Sequence, residues 1–103
     1  MQVVTINYIP GKEIEALGLV KGNVVQSKNI GKDIMAGFKT IAGGEIKSYT
    51  EMLAEARQIA TSRMVKEAEA MGADAVISAR FASSSIMDGT AEIIAYGTAV
   101  KLK

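Results

Sequence analysis

The chain is short, nearly neutral in charge, and lacks several residue types on which enzymes and metal sites depend. Its 103 residues suffice for one hydrophobic core, so we predict a single domain over 1–103. Its 12 basic and 11 acidic residues are interspersed along the chain, which indicates neither a nucleic-acid nor a membrane partner. The absence of Cys and His excludes disulfides, thiolate or imidazole metal ligands, cysteine nucleophiles and Ser-His-Asp triads.

Two strands are predicted in the first quarter of the chain. The apolar residues of 2–6 indicate a short strand, and the Pro-Gly pair at 10–11 indicates a turn, because Pro fixes φ and Gly tolerates positive φ. A second strand begins near Ile14. Gly18 and Gly22 interrupt its β-branched sequence, so we expect a bulge, a bend or a tight turn there.

Two helices follow the second strand. Apolar residues at helical spacing predict a short helix over 31–41, which a Gly-Gly pair ends. Ser48 and Glu51 have the spacing of a capping box at the start of a long amphipathic helix, which Gly72 ends. The residues of this helix predicted to face the core are Tyr49, Met52, Leu53, Ala56, Ile59, Ala60, Met64, Ala68 and Met71.

The last third of the chain reads as a hairpin. Strands are predicted over 74–83 and 90–102, and Asp88-Gly89 between them is a strong signal for a tight turn. The first of these strands should carry four apolar residues on one face, namely Ala75, Ile77, Ala79 and Phe81. The resulting order β-β-α-α-β-β, with antiparallel strands, one short helix and one long helix, predicts an α+β fold.

Self-association is predicted from two independent observations. Apolar residues make up 49% of the chain, and a domain of this size buries only about 65% of its unfolded surface. A helix over 48–71 would be roughly 36 Å long, about the diameter of a globule of 100 residues. Because some apolar surface should stay uncovered, a neighbouring subunit is the simplest way to bury it.

The expected location is the cytoplasm. The first residues combine no basic region with a long apolar region, as a secretory signal would. No uninterrupted apolar run approaches the roughly 20 residues of a membrane-spanning helix. A membrane partner is therefore not expected.

Several segments together resemble one known family. They are 29–38, 41–45, Tyr49, 55–57, 72–76 and 96–100, in that order along nearly the whole chain. This pattern is similar to the YbjQ-like family of small bacterial and archaeal proteins. The resemblance implies an α+β subunit assembled into a ring, expected to be a homopentamer, in a family of uncharacterised function that is labelled as heavy-metal-binding. The positions that match the family pattern are Asn29, Asp33, Gly37, Gly43, Gly44, Tyr49, Arg57, Gly72, Asp74 and Gly97.

A heavy-metal label agrees poorly with the donor atoms in this chain. Soft and borderline metals prefer thiolate and imidazole, and the chain has neither. Asp33 and Glu45 could bind a hard cation such as Mg²⁺ or Ca²⁺ if subunits bring them together. The simpler interpretation is that Asp33 stabilises the N-terminus of the short helix and Glu45 is solvated. No cofactor is identified, and the six Met residues fit core packing better than a Cu(I) site.

Two further candidate features involve the long helix. Gly43 and Gly44 precede its N-terminus and could cradle an anion, although a helix cap followed by a turn explains the same glycines. Tyr49 and Arg57 lie about two turns apart, and both residue types are frequent at interface hot spots. We interpret them as residues of packing or subunit contact.

Two functional hypotheses follow. The favoured one is a ring-forming homo-oligomer that binds a small ligand or ion at subunit boundaries without catalysis, with Asp33, Gly43, Gly44, Glu45, Tyr49 and Arg57 as the residues to test. The alternative is a hydrolase or lyase whose site combines carboxylates and Arg from neighbouring subunits. The absence of the common catalytic constellations favours the first.

Overall fold

The computed structural model describes residues 1–27, 47–85 and 90–103 and has an α+β fold. The elements are β1 (Gln2–Val3), β2 (Ile14–Ser27), α1 (Lys47–Ala70), β3 (Ala75–Ser84) and β4 (Thr90–Leu102). The α+β class is confirmed. The predicted short helix over 31–41 and the Asp88-Gly89 turn lie outside the described residues. Within the described residues, no helix is both long and apolar enough to span a membrane.

The four strands form one sheet in the order β1-β3-β4-β2. β4 pairs antiparallel with β3, as the hairpin predicts, and antiparallel with β2. β1 pairs parallel with β3, which corrects the expectation that all strands are antiparallel. β1 comprises only two residues, fewer than the predicted 2–6, but the chain beyond it stays hydrogen-bonded to β3. The amide of Ala79 donates to the carbonyl of Val4, and the amide of Ser78 donates to the carbonyl of Ile6.

A tight turn follows this edge segment, as the Pro-Gly pair predicts. The amide of Lys12 donates to the carbonyl of Ile9, and Gly11 has a φ of 74°. The turn folds Ile9 onto the sheet face opposite α1, where it is buried in a small second cluster. The other buried members of that cluster are Ala75, Ile77 and Val100.

Two β-bulges interrupt the strand pairing. The register of β2 against β4 shifts between Ala16 and Gly18, as the glycine there predicts. The register of β3 against β4 shifts between Ile77 and Arg80, and Ser78 within this bulge has a φ of 53°.

The second bulge corrects the predicted alternation of β3. Ile77 opposes Thr98, and both belong to the face away from α1, whereas Phe81 opposes Ala95 on the face toward α1. The prediction that Ala75, Ile77, Ala79 and Phe81 share one face is therefore wrong. An extra residue in the strand inverts the side-chain alternation beyond it, and no local sequence signal at Ser78 announces the inversion.

Helix α1 ends as predicted at Gly72. The amide of Gly72 donates to the carbonyl of Glu69, and the amide of Ala73 donates to the carbonyl of Ala68. With a φ of 79° at Gly72, these bonds form a Schellman motif. At its other end the helix begins at Lys47, one residue before Ser48; the side chain of Ser48 lies outside the described part of the chain.

The predicted core stripe of α1 is largely confirmed. Ala56, Ala60, Met64 and Ala68 are buried, and Tyr49, Met52, Leu53 and Ile59 are half-buried; Met71 is exposed and is a correction at the helix end. The main core forms between this stripe and the sheet. Its buried sheet residues are Val20, Val24, Val76, Ile93, Ala95 and Ala99.

The helix lies closest to the sheet at Gly22, which pairs regularly with Ala95 and is not a bulge. A Cβ atom at Gly22 would overlap the carbonyl oxygen of Ala60 and the amide nitrogen of Met64, and would lie 2.7 Å from the Cβ of Arg63. The glycine therefore permits close backbone approach, which corrects the predicted bend or turn. Because α1 is drawn onto β2 and β4, it leaves much of β3 uncovered.

Candidate ligand-binding groove

The residues singled out in the sequence do not assemble into one described site. Asp33, Gly43, Gly44 and Glu45 lie outside the described residues. Tyr49 is half-buried near the start of α1, and Arg57 is exposed on the same helix about 12 Å further along. Of these residues, Arg57 lies beside a cavity.

The cavity lies between α1 and the uncovered part of β3, with a volume of about 380 Å³. The N-terminal segment forms one wall, the helix forms the other, and β3 and β4 form the floor. Its lining residues are Val3, Val4, Thr5, Thr61, Met64, Ala79, Arg80, Phe81 and Ala95. A shallower depression continues it along the helix and shares Thr61 and Phe81 with it. The other residues that line this depression are Arg57, Gln58 and Ser62. We call the cavity and the depression together the α1–β3 groove.

The groove exists because the helix is displaced to one side of the sheet. The contact at Gly22 draws α1 over β2, and the floor beneath the groove consists partly of the small side chains Ala79 and Ala95. Phe81 faces the same side of the sheet but remains 55% exposed, since no part of α1 covers it. An uncovered aromatic side chain beside a cavity is typical of a surface that contacts a ligand or a partner.

The charged groups of the groove are both cationic. Arg80 opposes Tyr96, so its side chain starts on the face away from α1, and its Nη1 donates to the carbonyls of Thr5 and Ala79 at 2.9 Å each, which holds the guanidinium at the β3 edge beside the N-terminal segment. Arg57 is exposed on the opposite wall. Neither arginine is ion-paired with a carboxylate in the described part of the chain, and no Asp or Glu is among the lining residues given above.

The described lining residues of the groove offer hydrogen-bonding groups but no side chain that exchanges a proton near neutral pH. The described lining residues supply hydroxyl, amide and guanidinium groups but no carboxylate, and the chain contains no imidazole or thiol. General acid–base catalysis near neutral pH needs a group that exchanges a proton, and a guanidinium stays protonated. A second described feature, the β3 edge of the sheet, is relevant to the assembly of subunits.

Among the described residues, side chains of α1 cover the β2 edge of the sheet but not the β3 edge. On the β2 edge, the amide of Lys21 donates to the Oε1 of Glu67 at 3.3 Å, and Arg63 donates to the carbonyl of Asn23 at 2.6 Å. Side chains of α1 thus cap this edge. Residues 81–83 at the β3 edge have no such side-chain bond in the described ranges, and they are exposed.

The face of the sheet away from α1 carries an apolar surface that we call the outer strip. It consists of Leu19, Val25, the half-buried Ile94 and Tyr96, which the strand register places on one face, where the polar residues Lys21, Asn23, Glu92 and Thr98 oppose them. Leu19 is 67% exposed, Val25 52% and Tyr96 38%. Clustered exposed side chains of this size are uncommon on a monomer and are typical of protein interfaces.

Comparison with known proteins identifies the family. The YbjQ family model, described as "Putative heavy-metal-binding", matches residues 1–103. The chain belongs to the YbjQ family. The resemblance seen in the sequence is thereby confirmed over the whole chain.

Full-length relatives of the YbjQ chain are numerous and similar. A UPF0145 protein of Clostridium novyi is 60% identical over 102 residues, which are 99% of each chain. UPF0145 proteins of Fervidobacterium nodosum and Thermotoga maritima are 64% identical over 104 residues, covering all of this chain and 96% and 98% of theirs. These names state no activity.

A solved structure shares the fold. A protein of unknown function from Pediococcus pentosaceus, of the DUF74 family, matches with a TM-score of 0.71 at 15% identity. The match covers 100% of this chain and 98% of that one. At this identity the likeness establishes the fold alone.

The heavy-metal description of the YbjQ family meets no thiolate or imidazole donor in this chain. The sequence has no Cys or His, and among the described residues no three carboxylates gather in a position to hold a metal. One family-matching carboxylate, Asp74, has a structural role instead. It accepts from the amide of Leu102 at 2.8 Å and lies 3.8 Å from the Nζ of Lys101, so it ties the end of β4 to the chain that follows α1.

Sequence reasoning missed most of the groove. Thr61 and Arg80 belong to no motif in the sequence, and the alternation predicted for 74–83 assigns Phe81 to a core face. The one sequence pattern that could have indicated the groove was the run of polar and charged residues on α1 around Arg57. The rest depends on the bulge at Ser78 and on the sideways position of the helix.

Proposed function

We propose that the protein is a self-assembling, ring-forming homo-oligomer, with the homopentamer as the expected form, that binds a small ligand at subunit boundaries without catalysis. The observation that carries this proposal is the uncovered half of the sheet. The outer strip and the β3 edge are both exposed, and the α1–β3 groove borders that edge. A second subunit that covers the edge would close the groove and place it at a boundary.

The outer strip supports self-association through burial of apolar surface. Removing its exposed side chains from water would contribute roughly 25 cal/mol per Å² of apolar area buried. The four residues follow a diagonal across two adjacent strands, in which Leu19 is next to Tyr96 and Val25 is next to Ile94. A second copy of the chain is the simplest partner for this surface, because it is present wherever the protein is present.

Native mass spectrometry of protein purified without a chelator or affinity tag tests this proposal. We expect one oligomeric species at tens of micromolar and added mass per subunit from a retained ligand. In the variant Leu19→Asp the oligomer should weaken, because a charge would be buried without a partner. A strictly monomeric wild-type protein would contradict the proposal.

Tyr8→Asp serves as a matched control for that variant. Tyr8 is also a large exposed apolar residue, but it lies in the N-terminal segment outside the outer strip. We expect the Tyr8→Asp protein to keep the wild-type stoichiometry. If both variants dissociate equally, added charge and not the outer strip is responsible.

The enzymatic alternative makes a different prediction. Because no described lining residue of the groove is a carboxylate, a hydrolase or lyase site would need Asp or Glu from elsewhere in the assembly. A general substrate screen would then show turnover that is lost in Arg57→Ala while the oligomer persists. Ligand-dependent melting without turnover supports binding alone.

A further inference from the structure

We infer that the α1–β3 groove binds a small amphiphilic carboxylate, that is, an acid with a hydrocarbon body. This inference rests on the proposed function and specifies its ligand. The observation behind it is the combination of an apolar floor with Arg57 on the helix wall, Arg80 at the β3 edge of the groove, and no described acidic residue among the lining. Each of these features selects a different part of the ligand.

The floor selects a hydrocarbon body. Phe81 at the sheet edge and the half-buried Ala79 provide the accessible apolar surface, and Val3 and Val4 close the side formed by the N-terminal segment. Met64 and Ala95 lie beneath this surface, each 1% exposed. The volume of about 380 Å³ lies within the roughly 300–1,000 Å³ that is usual for small-molecule sites. A fully polar ligand would leave this floor without a complementary surface.

The arginines select a negative charge. The guanidinium of Arg80 is held by two carbonyl oxygens through Nη1, which limits its motion and lowers the entropy lost when an anion binds. Arg57 adds a second positive charge on the opposite wall. Guanidinium groups match carboxylates through paired hydrogen bonds.

Because no described lining residue is acidic, the groove should prefer anionic ligands to cationic ones. A cationic amphiphile would meet two like charges and no counter-charge, so it should be rejected. A neutral alcohol of the same length would fill the floor but leave the guanidinium groups without an anion. The groove should therefore rank an acid above an alcohol and an alcohol above an amine.

Calorimetric titration of the full chain with octanoate tests the inference. Acetate carries the charge without the hydrocarbon, octanol carries the hydrocarbon without the charge, and octylamine reverses the charge. We expect octanoate to bind at least tenfold more tightly than any of the three. Equal binding of acetate would show a simple anion site, and equal binding of octanol a simple apolar cavity; either result would overturn the inference.

A charge-matched pair of variants locates the site. Arg57→Gln should weaken octanoate binding about tenfold, which corresponds to about 1.4 kcal/mol. Lys66→Gln removes the same charge from an exposed position of α1 that does not line the groove, and its affinity should stay within twofold of wild type. An unchanged affinity in Arg57→Gln, or an equal loss in both variants, would place octanoate elsewhere.

Native mass spectra recorded with octanoate separate the two proposals. An intact oligomer that takes up no octanoate would refute this ligand and leave self-assembly standing. A monomer that takes up octanoate in an Arg57-dependent manner would refute self-assembly and leave the groove standing. Octanoate bound to the oligomer, with stoichiometry reduced by Arg57→Gln, is the result expected from both.

Discussion

The two sides of the sheet differ in how closely α1 covers them. On the β2 side, Gly22 brings backbone against backbone, and side chains from the helix cap the strand edge. On the β3 side, the helix stands away, Phe81 is exposed, and a cavity remains. A helix above a four-stranded sheet cannot lie close to both edges, so tight packing on one side creates an open groove on the other.

This difference separates residues that determine stability from residues that are available for binding. Side chains near Gly22 are constrained by close-packed neighbours, and changes there should alter the free energy of unfolding. Side chains at the groove contact solvent on one side, so changes there should alter ligand affinity with little effect on folding. Three substitutions examine this separation.

The largest effect is expected from Gly22→Ala. The added Cβ would overlap backbone atoms of Ala60 and Met64, which cannot move without shifting the helix. Urea unfolding at fixed protein concentration should show a loss of about 3 kcal/mol or more in the free energy of unfolding.

Gly11→Ala is the matched control for that change. A Cβ at Gly11 would meet nothing within 4 Å, but the φ of 74° makes the residue strained. We expect a loss of about 1–2 kcal/mol from the backbone conformation alone. A loss at Gly22 no greater than at Gly11 would show that the helix can move away freely, and the contrast between the two sides would fail.

An intermediate effect is expected from Met64→Ala. Met64 is 1% exposed; it belongs to the buried stripe of α1 and also borders the groove. Removing it should cost about 2–4 kcal/mol in the free energy of unfolding, measured by urea unfolding. Met71→Ala, which truncates a methionine exposed at the helix end, should cost about 0.5 kcal/mol. Similar losses for the two variants would mean that the groove side of the core is not closely packed.

The smallest effect on folding is expected from Phe81→Ser. Because Phe81 is more than half exposed, the free energy of unfolding should change by about 0.5 kcal/mol. Octanoate affinity, in contrast, should fall severalfold, since part of the apolar floor is lost. Tyr8→Ser removes an equally exposed aromatic residue outside the groove and should leave the affinity unchanged. A large loss of stability in Phe81→Ser would assign this residue to the core.

Much of the fold could be predicted from local sequence. The bounds of β4 match the prediction of 90–102, those of α1 and β3 differ from their predictions by one residue at each end, and β2 begins at the predicted Ile14. Gly72 ends the helix by the expected hydrogen bonds. The groove could not be predicted in the same way. Arg57 was selected because of its residue type, whereas Phe81 faces the groove through a bulge, and Arg80 is held beside it by a hydrogen bond to the N-terminal segment.

The sequence by itself determined the class of fold, the order of its described strands and long helix, the ends of the helix and the membership of the YbjQ family. These properties depend on periodicity and on capping residues that act within a few positions of one another. Tertiary structure alone decided which face each half of β3 presents and where α1 lies on the sheet. Both depend on contacts between residues far apart in the chain, because the bulge at Ser78 is held by the N-terminal segment and the helix is drawn toward a single glycine of β2.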